Sequence, residues 1–235
     1  MIKAIFFDLD ATLLRMKQED YSKAYLSKLP LAMEKAGYEP KEFLNVLWHG
    51  LGKMVKNDGS KLNCDVFWEH FTEHYGEGVR YADKYFEEFY KTDFKTIREI
   101  TSFDPISARV VEAARAKGMK TVLATSPVFP KIATIERMSW AGLDPSLFDI
   151  ITTYENSRLS KPNPAFYKDL ADRLGLKPEE CLMVGNDTLD DMVAREAGLN
   201  VYLVTDYLVN GIGANIEEYE HGTLSEFEKY LNERL

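Results

Sequence analysis

Two aspartates separated by a single residue follow an apolar run near the start of the chain. The segment 6–14 reads FFDLDATLL and places Asp8 and Asp10 directly after what we predict to be a buried strand. Crowding two carboxylates beside an apolar strand raises their pKa values and costs stability unless something neutralises them. The pair therefore indicates a functional site.

Other polar residues stand at the ends of later predicted strands. The positions are Thr125 and Ser126 after the run MKTVLAT, Lys161 in the loop SRLSKPNP, and Asn186, Asp187, Asp190 and Asp191 after the run CLMVG. In an open parallel sheet the ligand lies beyond the carboxyl ends of the strands, so we expect these residues to converge on one edge. Several carboxylates at one edge need a hard divalent cation, and oxygen ligands of this kind suit Mg²⁺. Hydroxyl groups and one lysine beside a metal ion favour phosphoryl transfer.

The same segments resemble the four motifs of the haloacid dehalogenase superfamily. FFDLDATLL is similar to the first motif, Asp-x-Asp-x-Thr, and LATS to the second, a strand that ends in Thr or Ser. Lys161 in LSKPNPAFY resembles the third motif and VGNDTLDD the acidic fourth. The order and rough spacing match over most of the chain.

The resemblance implies a role for each matching residue. Asp8 would be the nucleophile that forms an aspartyl-phosphate, and Asp10 the general acid and base. The Asp8 carboxylate, the Asp10 backbone carbonyl and an aspartate of the fourth motif would hold Mg²⁺. The segment VGNDTLDD can be aligned with the fourth motif in two ways. We favour the alignment that makes Asp187 the direct ligand, with Asp191 in support. The alternative alignment, on Asn186, would make Asp191 the main ligand.

The remaining motif residues would bind the phosphoryl oxygens. These are Thr125, Ser126 and Lys161, and Lys161 would also offset the repulsion between Asp8 and an incoming anion. The resemblance implies a Mg²⁺-dependent phosphatase of a small phosphate monoester, because an acid at position 10 serves a leaving alkoxide and not a halide. There are two alternatives. One is a phosphomutase with the same two aspartates, and the other is a protein with diminished catalytic activity that binds a phosphorylated metabolite. Ala11 stands where this family often has Gly, and Ser126 where it often has Asn.

Two kinds of pattern along the chain indicate which elements position these residues. From about residue 16 to 90 the apolar residues recur at helical spacing, with breaks near 37–40, 57–60 and 76–78, which predicts about four helices. Pro30 is a candidate break or kink in the first of them. After residue 103, helices and short apolar strands alternate, and the predicted elements include a strand over 149–154 and a helix over 190–197. This alternation predicts a parallel sheet covered on both faces. We therefore predict an α/β, Rossmann-like doubly wound core over residues 1–15 and 96–235, and an inserted all-helical cap domain over 16–95. Such a cap favours a small substrate.

Composition excludes several classes of function. The net charge of −9 over 235 residues argues against a nucleic-acid surface, and no apolar stretch approaches the ~20 residues that a membrane helix needs. The N-terminus lacks the pattern of a signal peptide, so we predict a cytoplasmic protein. Cys64 and Cys181 lie in unlike contexts and are predicted to be reduced, buried thiols.

Two further patterns lie in the helical insert. Residues 70–74, HFTEH, match a zinc-peptidase pattern, but no third ligand is evident, and we interpret His70 and His74 as solvated or interface residues. The aromatic residues of the insert, among them Trp48, are predicted to form mainly its core, with one or two lining the substrate pocket.

Overall fold

A six-stranded parallel sheet forms the centre of the molecule in the computed structural model, which describes residues 1–235. Its strands are β1 (Ala4–Phe7), β2 (Lys120–Leu123), β3 (Ile150–Ile151), β4 (Cys181–Gly185), β5 (Asn200–Val204) and β6 (Glu220–Gly222). The order across the sheet is β3-β2-β1-β4-β5-β6, and every neighbouring pair is parallel. The chain order reverses at β1, so the ends of β1 and β4 border the position where ligands bind in doubly wound folds.

Eight α-helices accompany the sheet. They are α1 (Gln18–Glu34), α2 (Pro40–Val55), α3 (Asn63–Tyr75), α4 (Asp83–Lys91), α5 (Ile106–Ala116), α6 (Lys131–Trp140), α7 (Pro164–Leu174) and α8 (Leu224–Arg234). Helices α1 to α4 and two 3₁₀ segments lie between β1 and β2, which confirms the predicted all-helical insert. None of the helices combines the length and the apolar character that crossing a membrane would require.

Side chains of each central strand alternate between the two faces of the sheet. Ile5 and Phe7 of β1 belong to the larger apolar cluster, which includes residues of α5, α8 and the insert. Ala4 and Phe6 belong to a second cluster on the opposite face, with residues of α7. Both faces are therefore buried, as expected for parallel strands that read as continuous apolar runs. The predicted doubly wound α/β core is confirmed.

Some elements differ from the sequence prediction. The short strand β6 was not predicted, and the predicted strand 149–154 is reduced to Ile150–Ile151. The predicted helix 190–197 is a 3₁₀ segment, Met192–Ala197. Pro30 lies inside helix α1, which continues past it without a break. The boundaries given above for the core and the cap domain stay a prediction.

One fully buried amide joins the helical insert to the loops of the core. Asn63, the first residue of α3, donates from Nδ2 to the carbonyl oxygen of Pro127 at 3.0 Å and to Ser160 Oγ at 3.0 Å. These two partners are the sequence neighbours of Ser126 and Lys161, two of the predicted site residues. The insert is therefore tied by hydrogen bonds to the loops that carry the site.

Candidate active site

All seven predicted site residues line one small polar cavity of about 60 Å³ at the carboxyl end of the sheet. Its wall consists of Asp8, Asp10, Gln18, Thr125, Ser126, Lys161, Asn186, Asp187, Asp190 and Asp191. No hydrophobic residue lines this polar cavity. The fold thus brings together groups that are up to 183 positions apart in the chain, as the strand-end reasoning predicts.

Backbone hydrogen bonds, one to β4 and others within the loop, hold the loop after β1 in a tight turn. The Asp8 N–H donates to Val184 O at 2.9 Å, and the Leu14 N–H donates to Leu9 O at 2.7 Å. Ala11 has φ +64°, in the left-handed region that a residue with a Cβ adopts at a cost of about 1–2 kcal/mol. Ala11 thus occupies a backbone conformation that favours Gly, and its Cβ adds strain next to Asp10.

Lys161 bridges two carboxylates in the floor of the polar cavity. Its Nζ lies 2.7 Å from Asp8 Oδ1 and 2.5 Å from Asp191 Oδ1, and its side chain is buried. Burial alone would lower the pKa of Lys161, but the charges of Asp191 and Asp8 more than offset this effect and raise it. The ammonium group is therefore positively charged, as an anion-binding lysine must be.

The cavity holds more negative charge than the protein neutralises. Burial, together with the charges of Asp191 and Asp10, raises the pKa of Asp8 to about 7 against the opposing effect of Lys161. Burial and the neighbouring Asp187 and Asp191 also raise the pKa of Asp190, to about 6. Both shifts arise because carboxylates are removed from water and placed beside one another.

The two aspartates that compete as metal ligand have different hydrogen bonds. Asp191 uses both oxygens: Oδ1 contacts Lys161, and Oδ2 accepts the Asp187 N–H at 2.9 Å. Asp187 accepts the Leu189 and Asp190 N–H groups through Oδ1 alone, at 2.7 and 3.0 Å. Asp187 thus retains an oxygen without a protein partner, whereas Asp191 is occupied in holding Lys161.

An arginine that sequence reasoning missed contacts Asp10. Arg137, in α6, is fully buried and forms an ion pair with Asp10 Oδ2. Its guanidinium also lies 4.4 Å from the centre of the Phe129 ring. Asp10 Oδ1 is buried and has no hydrogen-bond partner. The acid at position 10 is therefore fixed on one side by Arg137 and unpaired on the other.

The donors around the polar cavity fit a divalent cation with few protein ligands. Five carboxylates line the cavity, and only Lys161 and Arg137 pair with them. The Asp10 carbonyl oxygen accepts no backbone hydrogen bond. No group of three or more Asp, Glu, His or Cys side chains is placed so that it could hold a metal ion. Mg²⁺ is commonly held by one or two carboxylates and retains water, so the open arrangement suits this ion.

The histidines of HFTEH lie outside the polar cavity and have separate partners. His70 Nε2 lies 3.1 Å from Val46 O, and His74 Nε2 lies 2.9 Å from Glu42 Oε1. Each ring therefore has a local partner in α2, which agrees with the interpretation as interface residues. Of the two cysteines, Cys181 is buried as predicted, and Cys64 is partly exposed.

Comparisons with known proteins agree with the geometry. Residues 2–198 match the family model of haloacid dehalogenase-like hydrolases. YhcW of Bacillus subtilis (strain 168) is 26% identical, over 94% of this chain and 90% of its own length. The glyceraldehyde 3-phosphate phosphatase of Methanocaldococcus jannaschii is also 26% identical, over 94% of this chain and 91% of its own.

A solved structure shares the fold. The crystal structure of a HAD phosphatase from Thermococcus onnurineus superimposes with a TM-score of 0.60 at 22% identity and covers 98% of each chain. Four motifs at the strand ends, the doubly wound sheet with its helical insert and the match over residues 2–198 lead to one conclusion. The chain belongs to the haloacid dehalogenase-like hydrolase family.

Proposed function

We propose that this protein is a Mg²⁺-dependent phosphatase that hydrolyses a small phosphate monoester through an aspartyl-phosphate on Asp8. The observation that carries the proposal is the juxtaposition of Asp8 and Asp10 in one polar cavity, with Lys161 2.7 Å from Asp8 Oδ1. The family match and the phosphatase among its relatives support the same reaction. A cavity that also contains hydroxyl groups and a buried cation is suited to a phosphoryl group.

In the first step, one Asp8 carboxylate oxygen attacks phosphorus. Lys161 contacts Asp8 Oδ1, while Oδ2 takes no hydrogen bond from the protein and remains available. The bond between phosphorus and the ester oxygen breaks, and its electron pair stays on that oxygen. Asp10 in its acid form gives a proton to this oxygen, so that a neutral alcohol leaves.

In the second step, Asp10 acts as a base. It takes a proton from a water molecule, whose oxygen attacks the phosphorus of the aspartyl-phosphate. The acyl phosphate P–O bond breaks, which regenerates Asp8 and releases inorganic phosphate. Arg137 holds Asp10 throughout, since its guanidinium pairs with Oδ2.

Asp8, Asp187 and the Asp10 carbonyl would hold Mg²⁺, with Asp191 positioning Lys161. A bound Mg²⁺ would neutralise charge on the phosphoryl oxygens. Thr125, Ser126 and Lys161 would bind those oxygens directly, and all three line the polar cavity.

Phosphate release from a panel of esters, with Mg²⁺ and with a chelator, tests the proposal. We expect Mg²⁺-dependent release that is lost in Asp8→Asn and retained in Asp172→Asn, which replaces an exposed aspartate of α7. With 4-nitrophenyl phosphate, whose leaving group departs without a proton, Asp10→Asn should accumulate a phosphorylated peptide containing Asp8, detectable by mass spectrometry after acid quenching. Release that survives Asp8→Asn would contradict the mechanism. Transfer of phosphate to another position of the substrate without net release would indicate a phosphomutase.

A further inference from the structure

A second cavity opens directly beside the polar cavity and is mainly apolar. Its volume is about 280 Å³, and eight of its thirteen lining residues are hydrophobic. The two cavities share Asp10, Gln18, Ser126 and Asp190, so they meet at the group that would protonate the leaving oxygen. The apolar cavity is therefore positioned to receive the organic part of an ester held in the polar cavity.

Aromatic side chains dominate the wall of the apolar cavity. Tyr21, Tyr25 and Phe129 lie close together, with the Phe129 ring 5.3 Å from Tyr25 and 6.2 Å from Tyr21 between ring centres. Trp48 of α2 also lines the cavity, although 53% of its surface is exposed. A large exposed indole that lines a cavity beside a reaction centre has apolar surface available for a ligand.

The charges in the apolar cavity are all negative. Asp10 and Asp190 are its only charged lining residues, and no Lys or Arg side chain lines it. Arg137 lies nearby but is fully buried and paired with Asp10. A leaving group with a carboxylate or a second phosphate would meet the charge of Asp190 and would find no cation on the wall, since Arg137 is already paired with Asp10.

The next cavity along the insert has the same character. It has a volume of about 330 Å³ and shares Tyr25, Leu51 and Val128 with the apolar cavity. Most of its lining is hydrophobic, and its charged residues are Asp83, Glu87 and Glu155. A leaving group that extends in this direction therefore continues to meet apolar surface and negative charge.

We infer that the substrate is a phosphate monoester of an uncharged, largely apolar alcohol, such as an aryl-alkyl or medium-chain alkyl alcohol, and that esters bearing a second anionic group are rejected. The inference rests on the proposed phosphatase function and adds the class of leaving group. Burying apolar surface against the aromatic wall favours the first group, and uncompensated charge disfavours the second.

The test compares three alkyl esters under Mg²⁺. They are 2-phenylethyl phosphate, n-butyl phosphate and 4-(phosphonooxy)butanoate, the last two having chains of equal length that differ by a terminal carboxylate. We expect kcat/KM to be at least about tenfold higher for 2-phenylethyl phosphate than for the carboxylated ester, with n-butyl phosphate between them. Equal values, or a preference for the carboxylated ester, would overturn the inference while leaving the phosphatase function intact. Absence of release from all three esters and from 4-nitrophenyl phosphate would overturn both.

A charge-changing variant tests the same idea through the wall itself. Trp48→Arg places a cation in the apolar cavity at a half-exposed position, where a polar side chain is compatible with folding. We expect this variant to reduce the preference for 2-phenylethyl over the carboxylated ester by about tenfold or more, and the matched control Trp48→Phe to retain it. An unchanged preference in Trp48→Arg would contradict a role of this cavity in selecting the leaving group.

Discussion

Burial of the Asp8 carboxyl destabilises its ionised form, which is the form that reacts, at a cost to folding. Burial is the chief reason that its pKa rises from 3.8 to about 7. In the metal-free folded chain Asp8 is therefore mainly protonated below about pH 7. The pKa of Asp8 is higher in the folded chain than its ordinary value of 3.8, so folding is favoured most when this carboxyl is protonated. This contribution to the free energy of unfolding is fully present below pH 3.8 and is lost as the pH rises through the folded-state value of about 7. At pH 8 the ionised Asp8 therefore destabilises the metal-free protein.

Asp8→Asn should make the metal-free protein more stable at pH 8 than the native chain, because it removes this buried charge. We expect the free energy of unfolding to increase by roughly 1–3 kcal/mol at pH 8 and by clearly less at pH 6. Urea denaturation with a chelator at the two pH values measures the difference. Asp172→Asn should stay within about 0.5 kcal/mol of the native value at both. An equal gain at pH 6 and pH 8 would show that the effect does not come from Asp8 ionisation.

The same pKa predicts how Mg²⁺ binding depends on pH. Mg²⁺ requires an ionised Asp8, and a group with a pKa of about 7 is mostly protonated at pH 6. We expect Mg²⁺ to bind about tenfold more weakly at pH 6 than at pH 8, with proton release on binding near pH 7. Calorimetric titrations in buffers of different ionisation enthalpy measure both quantities. An affinity independent of pH would place Mg²⁺ away from Asp8.

Arg137 and Asp10 should behave as an energetically coupled pair. Arg137→Met removes the partner of Asp10 Oδ2 and should cost about 1.5–3 kcal/mol in unfolding free energy and at least about tenfold in kcat. Adding Asp10→Asn to this variant should recover part of the stability, because the unpaired charge is then absent. Urea denaturation of the native protein, the two single variants and the double variant gives the coupling free energy of the pair as a double-mutant cycle. Strictly additive losses would mean that the pair is not coupled.

Residues of the site were predictable where the signal is local in sequence. Asp8 and Asp10 directly follow an apolar strand, and Lys161 stands in a recognisable loop motif. Arg137 was missed because its partner, Asp10, lies 127 positions away in the chain. A signal was available, since the four-residue spacing of Arg137 from Ala133 and from Ala141 places it on the buried side of α6. A buried arginine needs an acidic partner. Trp48 was assigned mainly to the core because helical periodicity does not distinguish a core face from one that lines a cavity.

At the scale of elements, the end of β4 controls the position of Asp191. A Cβ added to Gly185, the last residue of β4, would clash with the Asp191 carboxylate and lie 2.7 Å from Asp191 Cβ. Gly185 therefore allows the following loop to fold back against the strand, which brings Asp191 to Lys161.

Gly185→Ala should consequently displace Asp191 and lower activity. We expect kcat/KM to fall by at least about tenfold, since Lys161 loses one of its two carboxylate partners. Gly175→Ala is the control for general destabilisation. Gly175 lies directly after α7 and has a positive φ, so Ala is strained there, but nothing lies within 4 Å of its added Cβ. Circular dichroism confirms folding, and phosphate release measures activity. Similar losses in the two variants would assign the effect to general destabilisation.

The apolar strands were predictable because burial imposes a clear pattern. Strands β1 and β4 are fully buried and read as continuous apolar runs, and β4 was predicted over the residues that it occupies. Strand β6 consists of Glu220, His221 and Gly222, which carry no such pattern, and it forms because β5 offers a free edge for pairing. The segment 192–197 has helical spacing but winds as 3₁₀ between Asp191 and Gly198, a difference that apolar spacing does not reveal.

At the scale of the whole molecule, Asn63 connects the insert to the loops that carry the site. Asn63→Ala leaves Pro127 O and Ser160 Oγ without their buried donor, and we expect a loss of about 1–3 kcal/mol in unfolding free energy. KM should also rise, because loosening this junction moves the cavity wall relative to the phosphoryl-binding loops. The control Asn45→Ala replaces an exposed asparagine in α2. Lower stability with an unchanged KM would restrict Asn63 to a structural role.

The lengths of the outermost strands bear on how copies of this chain can associate. The sheet ends in β3, with two residues, on one side and in β6, with three, on the other. A free strand edge is a template for pairing with another chain, and edges this short present very few unpaired N–H and C=O groups. Continuation of the sheet from one molecule into the next is therefore disfavoured, which protects the protein against aggregation through strand addition. We expect any oligomer that it forms to be built from helix and loop surfaces.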